Sequence, residues 1–362
     1  MASRLEDAFD VREKVLLVCA DLHNVGDLAL LLQNLELARS DGRRKFVRRW
    51  GRPPPVVEAQ VAAAGGELFS GRDALEILHA AWRADCLIGG GQLVRDNASI
   101  PSLVSLLLCT VISRASGGKV STRGLGVSRI RSAARRLLWR AVLSTCNEIV
   151  VRDEASAAHV RDLGVRRRVV IRADMAFAPT SLHARRAAPT EPTTPVLVIA
   201  PCIDVGEGRS IDGAAFASLI PALREATPGI KLRFVCHDPR PSMDVAAANS
   251  LATSHHLEGA AILDGYELGA LLDEYARASV VVTNRLHALI FSMILGRPAI
   301  AIDDGDPKLH AICEAFRIPA IARNSQPSRT ELRSVIEAAT GFDREARTRT
   351  LRDLGRLALG EA

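Results

Sequence analysis

The chain has 362 residues, 48% of them apolar and 4% aromatic, and its 47 basic and 41 acidic residues give a net charge of +6. This length suits two hydrophobic cores better than one. The mild positive charge fits an anionic small substrate or a membrane surface, whereas dispersed basic residues and few aromatics argue against a nucleic-acid-binding protein.

The seven cysteines and the first residues predict a cytoplasmic protein. The cysteine count is odd, no two cysteines have Cys-x-x-Cys spacing, and most lie in or beside apolar runs. They are therefore predicted to be reduced and buried, without a zinc site. The N-terminus is polar and acidic, so no signal peptide is predicted, and the longest apolar segment, 100–112, is too short to span a bilayer.

Short apolar runs alternate with helical patterns along the first half, which is typical of a doubly wound parallel sheet. Strands are predicted near 15–20, 86–88, 119–122, 148–151 and 169–171. Helices are predicted near 28–40, 74–83, 100–116, 129–146 and 156–163. The basic, proline-bearing stretch 43–55 is predicted to be an exposed loop.

A proline-rich segment at 183–195 is predicted to link two domains, 1–182 and 196–362. Beyond it, strands are predicted near 196–200, 232–236, 261–263, 280–283 and 299–302. Helices are predicted near 213–226, 245–253, 268–278, 287–295, 307–316, 329–339 and 343–359. The chain is therefore predicted to be α/β, with two doubly wound Rossmann-like domains facing each other across a cleft.

The most informative segment follows the predicted strand 280–283. Polar residues end the apolar run there, and Arg285 and His287 come next, before an apolar helical pattern. In open α/β sheets, ligands bind at the carboxyl ends of the strands. An arginine fork suits phosphate or carboxylate, and a histidine can move a proton near neutral pH. The alternative is that Arg285 pairs with an acid and His287 packs in the helix.

Glycine-bearing turns follow three strands of the first half. They contain Asn24, Gly26 and Asp27, then Gly89, Gly90 and Gly91, then Arg123 and Gly124. Glycines let backbone amides approach a ligand, and a helix N-terminus favours an anion. Neither a dinucleotide fingerprint nor a phosphate loop is present. The alternative for each segment is an ordinary capped or flexible turn.

Three further positions complete the candidate set. Arg152 and His237 each follow a predicted strand, and Lys308 follows the acidic turn 303–306. The alternatives are that Arg152 pairs with an adjacent acidic residue and that the acidic turn is solvated or binds a metal. The basic amphipathic stretch 130–140 predicts either a peripheral contact with anionic lipid or a solvated helix face.

Seven short motifs follow one another along the chain. They are Asn24-Val-Gly-Asp27, Ile88-Gly-Gly-Gly91, Arg123-Gly-Leu-Gly126, Val151-Arg-Asp-Glu-Ala-Ser156, Asp174-Met-Ala-Phe177, Thr283-Asn-Arg-Leu-His-Ala288 and Gly296-Arg-Pro298. From about residue 15 to about residue 310, this order and spacing resemble the polysaccharide pyruvyltransferase family. The segment around Arg285 and His287 is the most specific part of the resemblance.

The resemblance implies the fold of the two-domain glycosyltransferases of the B type, with the acceptor on the first domain and the donor on the second. It also implies transfer of a pyruvyl group from phosphoenolpyruvate to a sugar, as a cyclic ketal. Arg152 and Arg285 would then bind the donor, and His287 would transfer a proton. The glycine turns would hold acceptor or phosphate. This scheme requires neither a metal nor a cofactor.

Two other functions remain open at this point. A nucleotide-sugar glycosyltransferase would have the same two-domain fold and would bind a nucleoside diphosphate. A non-catalytic family member would bind a glycan or a partner enzyme. For a pyruvyltransferase, the acceptor sugar is nucleotide-linked, lipid-linked or polymeric, and the predicted location is the cytoplasm, including the inner face of the membrane.

Overall fold

The computed structural model describes residues 13–39, 42–184, 194–203, 214–254, 257 and 260–361. The chain forms two compact units. One contains the described parts of 1–22, 27–180 and 357–362, and the other contains those of 23–26 and 181–356. Residues 185–193 of the predicted linker lie outside the described residues, as do residues 40 and 213 at the ends of two predicted helices.

The first unit is built on a five-stranded parallel sheet. Its strands are β1 (Lys14–Val18), β2 (Arg44–Arg48), β3 (Gly66–Phe69), β4 (Ala84–Gly89) and β6 (Val120–Arg123), which follow β3-β2-β1-β4-β6 across the sheet. Two short parallel pairs accompany it, β5 (Gln92–Val94) with β7 (Gly126–Val127) and β8 (Ile149–Val151) with β9 (Val169–Ile171). Leu16 at the centre of β1 pairs with Phe46 on one side and Cys86 on the other, and all three are buried.

The helices of this unit lie on both faces of the sheet. They are α1 (Val25–Leu37), α2 (Pro55–Ala63), α3 (Ala74–Ala81), α4 (Ile100–Ala115), α5 (Ala133–Thr145), α6 (Glu154–Asp162) and a 3-10 turn at Met175–Phe177. From β1 to β3 the chain moves toward one edge, and from β3 to β6 it moves toward the other. Because such crossovers are right-handed, α1 and α2 cover one face, and α3 and α4 cover the opposite face.

The second unit repeats this arrangement with six parallel strands. They are β10 (Val196–Ala200), β11 (Lys231–Val235), β12 (Ala261–Leu263), β13 (Val280–Thr283), β14 (Ala299–Asp303) and β15 (Ala320–Ala322), which follow β12-β11-β10-β13-β14-β15. Its helices are α7 (Ser181–Ala184), α8 (Ala214–Ala226), α9 (Asp244–Ser254), α10 (Leu268–Arg277), α11 (Leu286–Ile294), α12 (Pro307–Phe316), α13 (Arg329–Thr340) and α14 (Arg344–Leu359). The prediction of two Rossmann-like units is confirmed.

The predicted exposed loop at 43–55 is wrong over Arg44–Arg48 and at Pro55, whereas residues 49–54 form neither helix nor strand. Residues Arg44–Arg48 form β2, which lies inside the sheet between β1 and β3, and Phe46 and Val47 are buried. Three basic residues in five hide the apolar alternation that marks a strand. Pro55 begins α2, since proline fits the first turn of a helix.

All seven cysteines are buried, as predicted, and none of them forms a disulfide. Burial is the main cause that raises the pKa of Cys19, Cys146 and Cys236 to about 12. No helix within the described ranges is both long and apolar enough to cross a membrane.

Candidate functional site

The turn that follows β13 is fixed by the end of the neighbouring strand β10. Thr283 Oγ1 donates to the carbonyl oxygen of Ala200 at 2.6 Å and accepts from the backbone nitrogen of Arg285 at 2.9 Å. Asn284 binds both backbone polar groups of Cys202, at 2.7 and 3.0 Å. The polar pair Thr283-Asn284 therefore holds Arg285 at the start of α11, in extended backbone.

Arg285 is held by a buried carboxylate. Its Nη2 lies 2.5 and 2.6 Å from the two carboxylate oxygens of Asp244. Asp244 also accepts from the backbone nitrogens of His237 and Asp238, both at 2.9 Å. Although burial alone would lower it, the pKa of Arg285 is raised by Asp244, so the guanidinium stays charged. Arg285 Nε makes no hydrogen bond to any described residue, which leaves a buried donor for an anion.

The loop that follows β1 and contains Asn24 and Gly26 packs against the ring of His287. A Cβ atom on Gly26 would lie 2.4 Å from His287 Nδ1, so only glycine fits there without displacing the ring. Asn24 Oδ1 accepts from the backbone nitrogen of Gly26 at 2.9 Å, and the nitrogen of Val25 donates to the carbonyl of His237 at 2.8 Å. These contacts explain why residues 23–26 group with the second unit.

An aromatic layer lies beneath His287. Its ring stacks with Phe291, which stacks in turn with His237 at 5.7 Å and an angle of 18°. His237 Nε2 lies 2.8 Å from the hydroxyl oxygen of Tyr275, and both side chains are fully buried. Burial, and then the charges of Arg285 and His287, hold the pKa of His237 well below its usual value. His237 is therefore held in its neutral form, and its ring packs against Phe291 and Tyr275.

Arg152, directly after β8, has a different environment in the first unit. Its Nη1 lies 2.9 Å from Asp174 Oδ2, and its Nη2 donates to Gln92 Oε1 at 2.9 Å. The adjacent Asp153 is farther, with a 3.4 Å distance from its Oδ2 to Arg152 Nε. Burial would lower the pKa of Arg152, but Asp174 and Asp153 raise it. The main partner is thus Asp174, whose other oxygen accepts from the nitrogen of Ala176 at 2.9 Å.

Asp27 lies buried in the first turn of α1. Burial raises its pKa to about 6, against the opposing effect of the Arg95 charge. Its Oδ2 makes no hydrogen bond within the described ranges. Gly91, in the left-handed region at φ +66°, permits this closeness, since a Cβ there would lie 2.3 Å from Asp27 Oδ1. A carboxyl with this pKa can accept or hold a proton near neutral pH.

The remaining glycine turns pack against their own unit. Gly89 and Gly90, at the end of β4, lie against Asn34 and Leu30 of α1, and Gly124 lies against Met175. Arg123 Nη1 donates to Asn34 Oδ1 at 3.4 Å, and burial followed by the Arg172 charge lowers the pKa of Arg123.

Lys308 lies in the first turn of α12, where its backbone nitrogen donates to Asp306 Oδ1 at 3.1 Å. The acidic turn 303–306 thus supplies the N-cap of that helix. In the described part of the chain, no group of three or more His, Cys, Asp or Glu side chains could hold a metal ion.

Sequence reasoning gave no role to Asp244, Gln92 or Tyr275. Each acts through a contact between side chains that are distant in sequence, 41 residues apart for Asp244 and Arg285 and 60 for Gln92 and Arg152. Of the three, only Asp244 could have been found from the sequence, because it comes soon after the polar residues that end β11.

The comparisons with known proteins give the family from the sequence and the fold from solved structures. The sequence profile described as polysaccharide pyruvyl transferase matches residues 24–306. No curated protein sequence matches the chain. HepE from Anabaena, solved with UDP and glucose, is 12% identical with a TM-score of 0.61, over 96% of this chain and 99% of that one. The UDP-GlcNAc 2-epimerase of Neisseria meningitidis, solved with UDP-GlcNAc, is 10% identical with a TM-score of 0.59, over 96% and 98%. These neighbours have the glycosyltransferase B-type fold of two Rossmann-like domains.

Proposed function

Since the chain belongs to the polysaccharide pyruvyl transferase family, we propose that it transfers a pyruvyl group from phosphoenolpyruvate to two hydroxyls of a sugar, as a cyclic ketal. The observation that supports this most is the charged fork of Arg285, fixed by Asp244 beside His287. A planar fork suits the carboxylate or phosphate of the donor, and a histidine next to it can move the proton that the reaction requires.

The reaction needs one proton gained and two lost. A proton is added to the methylene carbon of the enol, and a sugar hydroxyl attacks the adjacent carbon and loses its proton. Phosphate then leaves with its bonding electron pair and takes up the remaining proton, and the second hydroxyl closes the ketal and loses its proton. We propose His287 as the acid for the methylene carbon, because its ring is fixed by Gly26 and Phe291.

Asp27 is our candidate for the hydroxyl proton. Its raised pKa of about 6 makes it a stronger base than an ordinary carboxylate. Asp238, a second carboxylate that follows a strand, already forms an ion pair with Arg240 through two hydrogen bonds. Arg152 stays in the proposal as a donor-binding charge, with its fork oriented by Asp174 and Gln92.

Further loop residues are proposed to bind acceptor or phosphate in each unit. In the first unit they are the turn Gly89–Gly91, Arg123 and Gly124, and in the second unit they are Asn24, Gly26 and Lys308. His237 is proposed to position His287 rather than to touch a ligand, because its ring is fully buried. Seven free thiols support a reducing compartment, so we propose the cytoplasm as the location.

A nucleotide-sugar glycosyltransferase is the second candidate. It is supported by the two neighbours, which were solved with UDP and glucose and with UDP-GlcNAc. The two functions differ in the anion that saturates the protein, phosphoenolpyruvate or a nucleoside diphosphate.

The deciding experiment measures phosphate release from phosphoenolpyruvate with nucleotide-linked, lipid-linked and polymeric sugars, followed by mass spectrometry of the products. We expect phosphate release that depends on one acceptor, with the mass gain of a pyruvyl ketal. Saturable binding of UDP without binding or turnover of phosphoenolpyruvate would replace the proposal with the glycosyltransferase.

A further inference from the structure

A basic recess of about 890 Å³ lies in the first unit, and none of the residues assigned above lines it. Its walls come from the segments after β2 and β3 and from the start of α4. Four arginines line it, namely Arg48, Arg49, Arg52 and Arg72. The N-terminus of the 16-residue helix α4, which also lines it, adds the positive end of a helix dipole.

Arg48 is a buried charge that has no counter-ion among the described residues. It is 2% exposed, its Nη2 donates to the carbonyl of Ser102 at 2.8 Å, and its guanidinium stacks over Trp50 at 4.3 Å. Its Nη1 makes no hydrogen bond, and no carboxylate of the described residues forms an ion pair with it. Since an uncompensated buried charge is costly, a recess next to it attracts anions.

Nearby carboxylates are engaged elsewhere. Asp73 caps α3 by accepting from the backbone nitrogen of Leu75 at 2.7 Å, and Glu76 accepts from the hydroxyl of Ser70 at 2.9 Å. Neither lines the recess. The recess therefore keeps its positive charge.

Apolar side chains stand exposed beside the recess. On α3 and its end they are Leu75, Leu78 and Trp82, and on α4 they are Ile100, Val104, Leu108 and Val111. Their spacing of three or four residues puts each set on one stripe of its helix. The two helices pack side by side, and α5, which packs against α4, adds Leu137 at 68% exposure. Contiguous exposed apolar stripes mark a binding surface.

We infer that the recess and the stripes of α3 and α4 form a docking surface for a membrane that presents anionic phosphate headgroups. A bilayer places phosphates directly above an apolar phase, which matches arginines in a recess beside apolar stripes. Arginine forks suit phosphate oxygens. A protein partner would need both an apolar patch and a set of acids in register. This inference goes beyond the proposed reaction and does not depend on it.

Vesicle co-sedimentation tests the inference with matched variants. Leu78→Ser removes an apolar group from the stripe, and Val56→Ser removes one of similar exposure, 41% against 45%, from α2 on the opposite sheet face. Arg72→Glu reverses a charge in the recess, and Arg39→Glu reverses an exposed charge that follows α1. Vesicles of phosphatidylcholine with phosphatidylglycerol are compared with phosphatidylcholine alone.

We expect salt-sensitive binding only to vesicles with phosphatidylglycerol. Leu78→Ser and Arg72→Glu should each lower the ratio of bound to free protein by about tenfold, and the two controls by less than about twofold. All four variants should keep wild-type turnover with a water-soluble acceptor, which separates this test from that of the reaction. Absence of binding, or equal loss in variants and controls, overturns the inference. The inference would also be overturned if inorganic phosphate stabilised both the wild-type protein and Leu78→Ser to the same extent while neither bound vesicles.

Discussion

Arg152 and Arg285 both follow the end of a parallel strand, yet the two units use them differently. Both terminal nitrogens of Arg152 are engaged, one by Asp174 and one by Gln92. Arg285 is held at one terminal nitrogen by Asp244 alone, and the Nε of both arginines makes no hydrogen bond to a described residue. An arginine with both terminal nitrogens engaged orients its surroundings, whereas one held at a single terminal nitrogen keeps the other for a ligand.

The largest difference between Arg285 and Arg152 is expected in stability, when the carboxylate partner of each is removed. Asp244→Ala leaves Arg285 buried without a counter-ion and two backbone nitrogens without an acceptor, so we expect a loss of about 3–5 kcal/mol in the free energy of unfolding. Asp174→Ala should cost less, because Arg152 keeps Gln92 and Asp153. Urea denaturation measures both, and equal losses would show that the two arginines are held alike.

Replacement of each arginine by lysine tests the fork. Arg285→Lys keeps the charge but not the planar donors, and we expect phosphate release from phosphoenolpyruvate to fall about 10²–10³-fold. Arg152→Lys should lower it less, because its donors mainly serve Asp174 and Gln92. A larger loss for Arg152→Lys would reverse the assignment. Arg277→Lys, an exposed site on α10, is the control.

In the first unit, which contains Arg152, the buried carboxyl of Asp27 makes stability depend on pH. The pKa of Asp27 is raised from 3.8 to about 6, so the folded protein favours the neutral acid and loses stability as pH rises through that window. Asp27→Asn should therefore stabilise the protein by roughly 2–3 kcal/mol at pH 7 and leave it unchanged below about pH 4. Thermal melting across this pH range measures the difference, and a constant difference would contradict the raised pKa.

The smallest expected effect concerns the ring beside Arg285. Gly26→Ala would place a Cβ atom 2.4 Å from His287 Nδ1, so the ring must shift and turnover should fall about tenfold. Gly265→Ala, where the nearest atom is 4.0 Å away, is the matched control and should have no effect. Wild-type kinetics in Gly26→Ala would show that the position of His287 is unimportant.

The sequence predicted most of the fold because buried parallel strands are apolar runs that end in polar residues. That signal located Val280–Thr283 and, with it, Arg285 and His287. It failed at Arg44–Arg48, where basic residues occupy a buried strand, and at the short strands Gln92–Val94 and Gly126–Val127, which have too few residues for a pattern.

The partners of the site could not be predicted in the same way. Asp244 meets Arg285 although β10 lies between β11 and β13 in the sheet, and Gln92 meets Arg152 although β5 pairs with β7 and β8 pairs with β9. A sequence pattern shows where a strand ends but not which side chain arrives there from another helix. The tight contact of Gly26 with His287 is of the same kind, since it depends on how a loop folds back.

The buried thiols provide a way to time the opening of each unit. With a pKa raised to about 12, a thiol such as that of Cys146 or Cys236 is almost never ionised at neutral pH, so it stays inert to alkylating reagents until the chain around it opens. Cys19, Cys86, Cys109 and Cys146 belong to the first unit, and Cys202, Cys236 and Cys313 to the second. Pulse labelling followed by peptide mass spectrometry would therefore measure a separate opening rate for each unit of the native protein.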